Sequence, residues 1–196
     1  MKNSVLMVVN LVSGGIDKSK FIKATKSFAV QKKRQFILYI TSGVDDISKI
    51  QELYLTHKPD RISIAGGDGT IKMVAEAMED QNVILGILPA GFTIGLATEL
   101  DLMRTMVENL FIAFNNEGHE IDSVFINGKR SMHLSDLGLN TVLIKNYEKS
   151  DVRGMWGYAL QTITTLIHLE EPFLATIEAN KKTVEFIARM IVIANA

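Results

Sequence analysis

The run Gly66-Gly67-Asp68-Gly69-Thr70 combines residue types that could do chemistry at short spacing. Glycines at 66, 67 and 69 let the main chain turn sharply and approach a ligand closely, because no Cβ stands in the way. The run follows a short apolar strand, Arg61 to Ala65, and precedes a helical stretch, Ile71 to Glu79. A helix start aims unpaired N–H groups at what lies before it, and these favour an anion such as phosphate. Asp68 places a carboxylate beside that anion. The two would repel each other unless the acid organises a cation or an attacking hydroxyl. The run therefore reads as a loop for nucleotide phosphates with a metal- or water-organising acid. Without its context, the same run would make a tight turn with Asp68 as a helix N-cap. The strand–glycine–helix order favours the phosphate loop.

The elements that must hold this loop alternate along the chain. Ser4 to Leu11 is a Val-rich strand and Val12 to Gly15 a loop. Ser19 to Gln31 has helical spacing, with Phe21, Ile22, Phe28 and Ala29 on its apolar side. Gln35 to Thr41 is a second strand. Asp45 to His57 is a second helix, with Asp45 or Asp46 as its N-cap. Val83 to Leu88 is a fourth strand, broken by Pro89-Ala90-Gly91, and helical sequence resumes through Asn115. This alternation predicts an α/β fold, a mostly parallel sheet covered on both faces. Ligands in such sheets bind outside the carboxyl ends of the strands. The loops leaving those ends are Val12 to Gly15, Thr41 to Gly43, Gly66 to Thr70 and Pro89 to Gly95.

The pattern changes near Asn116. Glu120 to Ile126 and Lys129 to Leu134 flank Asn127-Gly128, a strong two-residue hairpin turn. Leu139 to Tyr147 reads as a strand and Arg153 to Leu169 as a helix. Phe173 to Ala179 and Thr183 to Ala194 read as a hairpin around Asn180-Lys181. We expect a nucleotide-binding α/β domain over 1–117 and the beginning of an antiparallel β-rich domain over 118–196. The apolar strand at the end of the chain leads us to expect that this second domain is incomplete.

Composition narrows the partners. The net charge is −1, from 21 basic and 22 acidic residues, which argues against nucleic acid, since a phosphate backbone selects a basic surface. Cysteine is absent, so disulfides and cysteine-ligated metals are excluded. The apolar run Val5 to Val9 is too short for a secretory signal, and no uninterrupted apolar run approaches the ~20 residues that span a bilayer. A soluble, cytoplasmic protein is expected, with room for peripheral action at a membrane surface. His57, His119, His133 and His168 lack metal-ligand spacing.

The glycine loop, the strand order and the β-rich second part together resemble the diacylglycerol-kinase-like lipid kinases. That family includes bacterial lipid kinases and sphingosine and ceramide kinases, and it shares its Gly-Gly-Asp-Gly-Thr loop with NAD kinases. Asn10-Leu11-Val12-Ser13-Gly14 is similar to the family's first nucleotide loop, with Leu11 in place of proline. Thr41 matches a threonine that closes the second strand. Leu88-Pro89-Ala90-Gly91 resembles a proline–glycine loop, and Asp122 falls where the second domain opens with an aspartate. His133 to Asn140 and Arg153 to Tyr158 resemble segments of bacterial members.

The resemblance implies a Rossmann-like three-layer parallel sheet and an ATP-dependent lipid kinase, which transfers the γ-phosphate to a lipid hydroxyl. It implies nucleotide contacts at Asn10, Ser13, Gly14, Thr41, Gly66, Gly67, Asp68, Gly69, Thr70, Gly91 and Thr93. It implies Mg²⁺, which Asp68 and Asp122 would hold through water, since Mg²⁺ keeps several waters. A lipid acceptor at a membrane surface is the expected partner, and a homodimer is open. The family's general base lies in an Asp-Gly segment beyond the position of Ala196, so these residues alone are expected to be inactive. Away from the resemblance, Asn10 to Gly14 is also an ordinary βα loop, Thr41 a strand end and Asp122 a solvated strand residue. The family's Asn-Glu after the glycine loop is replaced by Lys72 and Met73, and Phe92 and Ile94 replace hydrogen-bonding residues. These departures support an alternative, a non-catalytic nucleotide-binding or regulatory module. A NAD kinase is the weaker third reading.

Overall fold

The structure, a computed structural model, describes residues 4–90, 95–102, 104–138 and 171–195. The chain divides into two compact units, Met1–Met132 and His133–Ala196.

The first unit is built on β1 (Ser4–Val9), which is buried along its whole length. A parallel strand covered on both faces needs apolar residues at every position, and Val5 to Val9 supply them. Leu6 and Val8 point to one face. There they meet Ile50 and Tyr54 of α2 (Asp46–His57), Ile71 and Val74 of α3 (Asp68–Ala77) and Leu96 of α4 (Gly95–Glu99). Val5, Met7 and Val9 point to the other face. They meet Ala29 of α1 (Ser19–Gln31) and Leu110, Ala113 and Phe114 of α5 (Met106–Asn115). Each fully buried Val, Leu, Ile or Met contributes about 1.5–3 kcal/mol relative to exposure.

The sheet is parallel, in the order β2 (Gln35–Ile40), β1, β3 (Arg61–Gly66), β4 (Ile84–Pro89). The expected α/β fold with a three-layer parallel sheet is present. The chain adds β2 on one side of β1 and then crosses to add β3 and β4 on the other. The winding direction therefore reverses between β1 and β3, and that reversal opens a crevice at the carboxyl ends of these two strands.

Element bounds shift by small amounts. β1 and β2 end at Val9 and Ile40, earlier than Leu11 and Thr41; the Asn10 and Thr41 N–H groups still donate to the carbonyls of Ala65 and Val9, and the loops begin there. α3 starts at Asp68, so the last three residues of the glycine run, Asp68 to Thr70, form the first helical turn. The long helical stretch after Gly91 is split into α4 and α5. Thr105 and Glu108 form a reciprocal capping box that starts α5 afresh, with the Glu108 N–H donating to Thr105 Oγ1 at 3.3 Å. Arg61 closes the other end of α5 by donating to the carbonyls of Ala113 and Asn116 at 2.9 and 2.8 Å.

β5 (Val124–Ile126) and β6 (Lys129–Ser131) form the hairpin expected around Asn127-Gly128, both with positive φ. β5 is shorter than expected. In the second unit, β8 (Phe173–Ala179) pairs antiparallel with β9 (Lys182–Ala188). The expected strand Thr183 to Ala194 is two strands: β10 (Met190–Ala194) leaves β9 and pairs antiparallel with β7 (Leu134–Gly138). The antiparallel character expected of this region is present. The strand expected from Leu139 and the helix expected from Arg153 lie outside the described residues.

Candidate functional site

At the carboxyl ends of β1, β2 and β3 a cleft of about 420 Å³ is lined by residues from three separate loops. Asn10, Leu11 and Val12 come from the first, Ile40 to Gly43 and Asp46 from the second, and Gly69, Thr70 and Met73 from the third. Three loops distant in sequence meet here because the sheet order sets β2, β1 and β3 side by side.

The first loop is folded by its own polar groups. Asn10 Oδ1 accepts from the Val12 N–H at 3.1 Å, and the Ser13 hydroxyl donates to the Asn10 carbonyl at 3.2 Å. Lys18 is buried, and its ammonium donates to the Ser13 carbonyl. Burial pushes the Lys18 pKa below the ordinary lysine value, partly opposed by the charge of Asp17. Gly14 takes φ 63 in the 3₁₀ turn Ser13–Gly15.

The crevice between β1 and β3 is bridged by Asn10 Nδ2, which donates to Thr70 Oγ1 at 3.3 Å. Thr70 in turn packs on Gly66: a Cβ there would lie 2.5 Å from Thr70 Oγ1 and 2.6 Å from its Cβ. Nothing stands within 4 Å of a Cβ built at Gly67 or Gly69, so these two positions leave open space. The Thr70 N–H donates to the Gly67 carbonyl at 2.9 Å, as does that of Ile71 at 3.1 Å. The N–H groups of Asp68 and Gly69 come before the first N–H that finds a helical acceptor, that of Thr70, and are orphan donors of α3. Gly67, not Asp68, is the N-cap of α3.

The Asp68 carboxylate reaches forward rather than back. It accepts from the N–H groups of Gly95, at 2.9 Å, and Leu96, at 3.2 Å, one on each oxygen. It thereby ties the glycine loop to the start of α4. Each oxygen retains a lone pair for a further donor or a cation.

The second loop turns around Asp46, a residue the sequence offered only as a helix cap. Its carboxylate accepts from the Tyr39 hydroxyl at 2.6 Å, the Ser42 N–H at 2.8 Å and the Gly43 N–H at 2.8 Å. Burial pushes the Asp46 carboxyl up, but these hydrogen bonds outweigh it and hold the pKa below the ordinary aspartate value. Burial and the bond to Asp46 push the Tyr39 hydroxyl up to about 12. An Asp in the first turn after Thr-Ser-Gly was the available sequence signal, but neighbouring Asp45 carried it equally. Asp45 takes the N-cap position with φ 53 and makes no side-chain cap bond.

The structure thus gathers Asn10, Thr41, Gly69 and Thr70 into one cleft, with Ser13, Gly14, Gly66, Gly67 and Asp68 on the loops that form it. Gly91 and Thr93 lie outside the described residues, as do Phe92 and Ile94. Asp122 lines a different and larger cleft of about 900 Å³, beside β4 and the end of α3. Among the described residues no group of three or more His, Cys, Asp or Glu side chains could hold a metal by itself. The described residues lining the smaller cleft include neither Lys nor Arg. No described helix is long and apolar enough to cross a membrane.

Comparison with known proteins agrees with this geometry. The family model for the diacylglycerol kinase catalytic domain matches residues 4–126. The fold is similar to the crystal structure of a protein from Bacillus anthracis strain Sterne assigned as a diacylglycerol kinase, with TM-score 0.73 and 21% identity over 98% of this chain and 66% of that one. A second structure, of a diacylglycerol kinase from the same strain, gives TM-score 0.72 and 20% identity over 98% of this chain and 64% of that one. This chain therefore spans slightly less than two thirds of the length of these two structures. No curated protein gives a significant match. The match covers most of the chain, including β1 to β4, all three loops of the cleft and the Gly66–Thr70 run, and on that ground the chain belongs to the diacylglycerol kinase catalytic domain family.

Proposed function

We propose that the protein is an ATP-dependent lipid kinase that phosphorylates a lipid hydroxyl of diacylglycerol type at a membrane surface. The observation that carries this reading is the cleft at the winding reversal, with the open start of α3 on one side and Asn10 and Thr41 on the others. ATP and Mg²⁺ fit the donor set. The Asp68 and Gly69 N–H groups and the α3 dipole favour phosphate oxygens. With no Lys or Arg among the described residues that line the cleft, a counter-cation would balance the charge of a polyphosphate there. Asp68 would hold that ion through water. Bound together, the two would supply the phosphoryl group and neutralise its charge, since such transfers depend chiefly on positioning and electrostatics.

The chain's own residues do the positioning. Asn10 fixes the first loop against Thr70. Gly66 lets Thr70 sit close to the strand end. Asp68 locks the glycine loop to Gly95 and Leu96, which keeps the N–H groups of α3 aimed at one place. The test incubates a form extended to the length of its structural relatives with labelled ATP, Mg²⁺ and diacylglycerol in mixed vesicles, and measures the ATP affinity of that form and of this chain in parallel. Phosphorylated lipid and measurable ATP binding support the kinase. Absence of ATP binding overturns it.

One observation favours a second reading, a non-catalytic nucleotide-binding module. Both oxygens of Asp68 already accept backbone N–H groups, and Met73 rather than a polar residue lines the cleft. ATP binding without lipid phosphorylation, in this chain and in a form extended to the length of its structural relatives, selects this module.

A further inference from the structure

Asp46 lines the cleft, is 7% exposed, and stands outside the glycine loop and the Asn10–Gly14 loop. The Tyr39 hydroxyl, the Ser42 N–H and the Ser42 hydroxyl, at 3.1 Å, reach its Oδ1, and the Gly43 N–H reaches its Oδ2. Three of these four donors belong to the turn between β2 and α2. That turn holds Gly43 at φ 83 and Asp45 at φ 53. A left-handed Asp is uncommon, and such a conformation persists only where its surroundings impose it. The bonds to the carboxylate are charge-assisted, about twice as strong as neutral ones, and they supply that imposition. Thr41 is pinned at the other end by its N–H, which donates to the Val9 carbonyl at 2.9 Å.

We propose that Asp46 is a positioning residue of the nucleotide cleft: its carboxylate gathers the Ser42 and Gly43 N–H groups and so fixes the wall on which Thr41 stands. The proposal rests on the nucleotide reading of the cleft. It has a definite chemical content. The Ser42 and Gly43 N–H groups are committed to Asp46 and withheld from the ligand. Of the backbone N–H groups on these two walls of the cleft, those at the start of α3 are then the ones left for phosphate. Replacing the carboxylate by an amide sets an NH₂ or a carbonyl where two acceptor oxygens are needed. One of the two backbone N–H groups loses its partner and the turn relaxes.

The test compares the wild-type chain with Asp46→Asn, Tyr39→Phe and Gly43→Ala. Backbone amide spectra and hydrogen exchange report the Ser42 and Gly43 N–H groups, and calorimetry with ATP and Mg²⁺ reports affinity. Asp46→Asn should lose protection at one or both amides and weaken ATP binding about tenfold or more. Tyr39→Phe removes one donor and keeps both backbone bonds, so its affinity should change by less than about threefold. Gly43→Ala strains the turn without touching the carboxylate and should weaken ATP binding as Asp46→Asn does; it decides the matter if Asp46→Asn does not fold. A folded Asp46→Asn chain with wild-type affinity, or with both amides still protected, overturns the proposal. So does unchanged affinity in Gly43→Ala. If the wild-type chain binds no ATP, the nucleotide reading fails and takes the positioning role with it, while the amide data still show whether Asp46 holds the turn.

Discussion

Gly66 sits where a methyl group would collide with the side chain of Thr70, and Thr70 is the residue that Asn10 reaches across the crevice. The Gly66→Ala chain should lose about 1–3 kcal/mol in urea unfolding, the usual cost of overpacking, and its ATP affinity should fall because Thr70 must move. A second expectation concerns pH. The folded pKa of Asp46 lies below its unfolded value. Its stabilising contribution is therefore present above the unfolded carboxylate pKa and is lost as pH falls through the folded one. Unfolding free energy measured across the acid range should decline less steeply in Asp46→Asn than in the wild-type chain. The two residues also show what sequence can reveal. The glycine loop was legible because strand, glycines and helix are contiguous. Asp46 was not, because its partners depend on left-handed backbone at Gly43 and Asp45. Nor was the reach of Asp68 to Gly95 and Leu96, which joins positions 27 and 28 residues apart.

At the scale of elements, α1 and β8 follow the bounds that spacing predicts, since each has a clear apolar periodicity between polar breaks. The break before α5 carried a readable signal, Thr105 three residues before Glu108, which is the capping-box pattern. The long apolar periodicity through Asn115 masked it. Thr105→Ala should cost about 1 kcal/mol and speed amide exchange in the first turn of α5. The division of Thr183 to Ala194 was hidden for another reason. Both halves have strand composition, and only the choice of partner, β8 for one and β7 for the other, separates them at Arg189.

At the scale of the molecule, the parallel sheet was legible from the alternation of elements alone, whereas the order of the strands across the sheet was not, because apolar parallel strands carry no mark of their neighbours. That order has a consequence for synthesis. β1 leaves the ribosome well before β3, yet β3 is its neighbour on one whole side and contributes Ile62, Ile64 and Ala65 to both of its faces. Until Gly66 has emerged, Val5 to Val9 have β2 alone as a strand partner, and α1 and α2 are the helices available to cover their faces. Stalled nascent chains that expose nothing past Pro59 should be cleaved readily by protease within β1, while chains exposed beyond Asn115 should resist. The loop of Asn10 is translated early but has no Thr70 to meet. A growing chain therefore carries half a crevice for nearly half of the first unit's synthesis, and a chaperone that binds short apolar segments has Val5 to Val9 as its target during that interval.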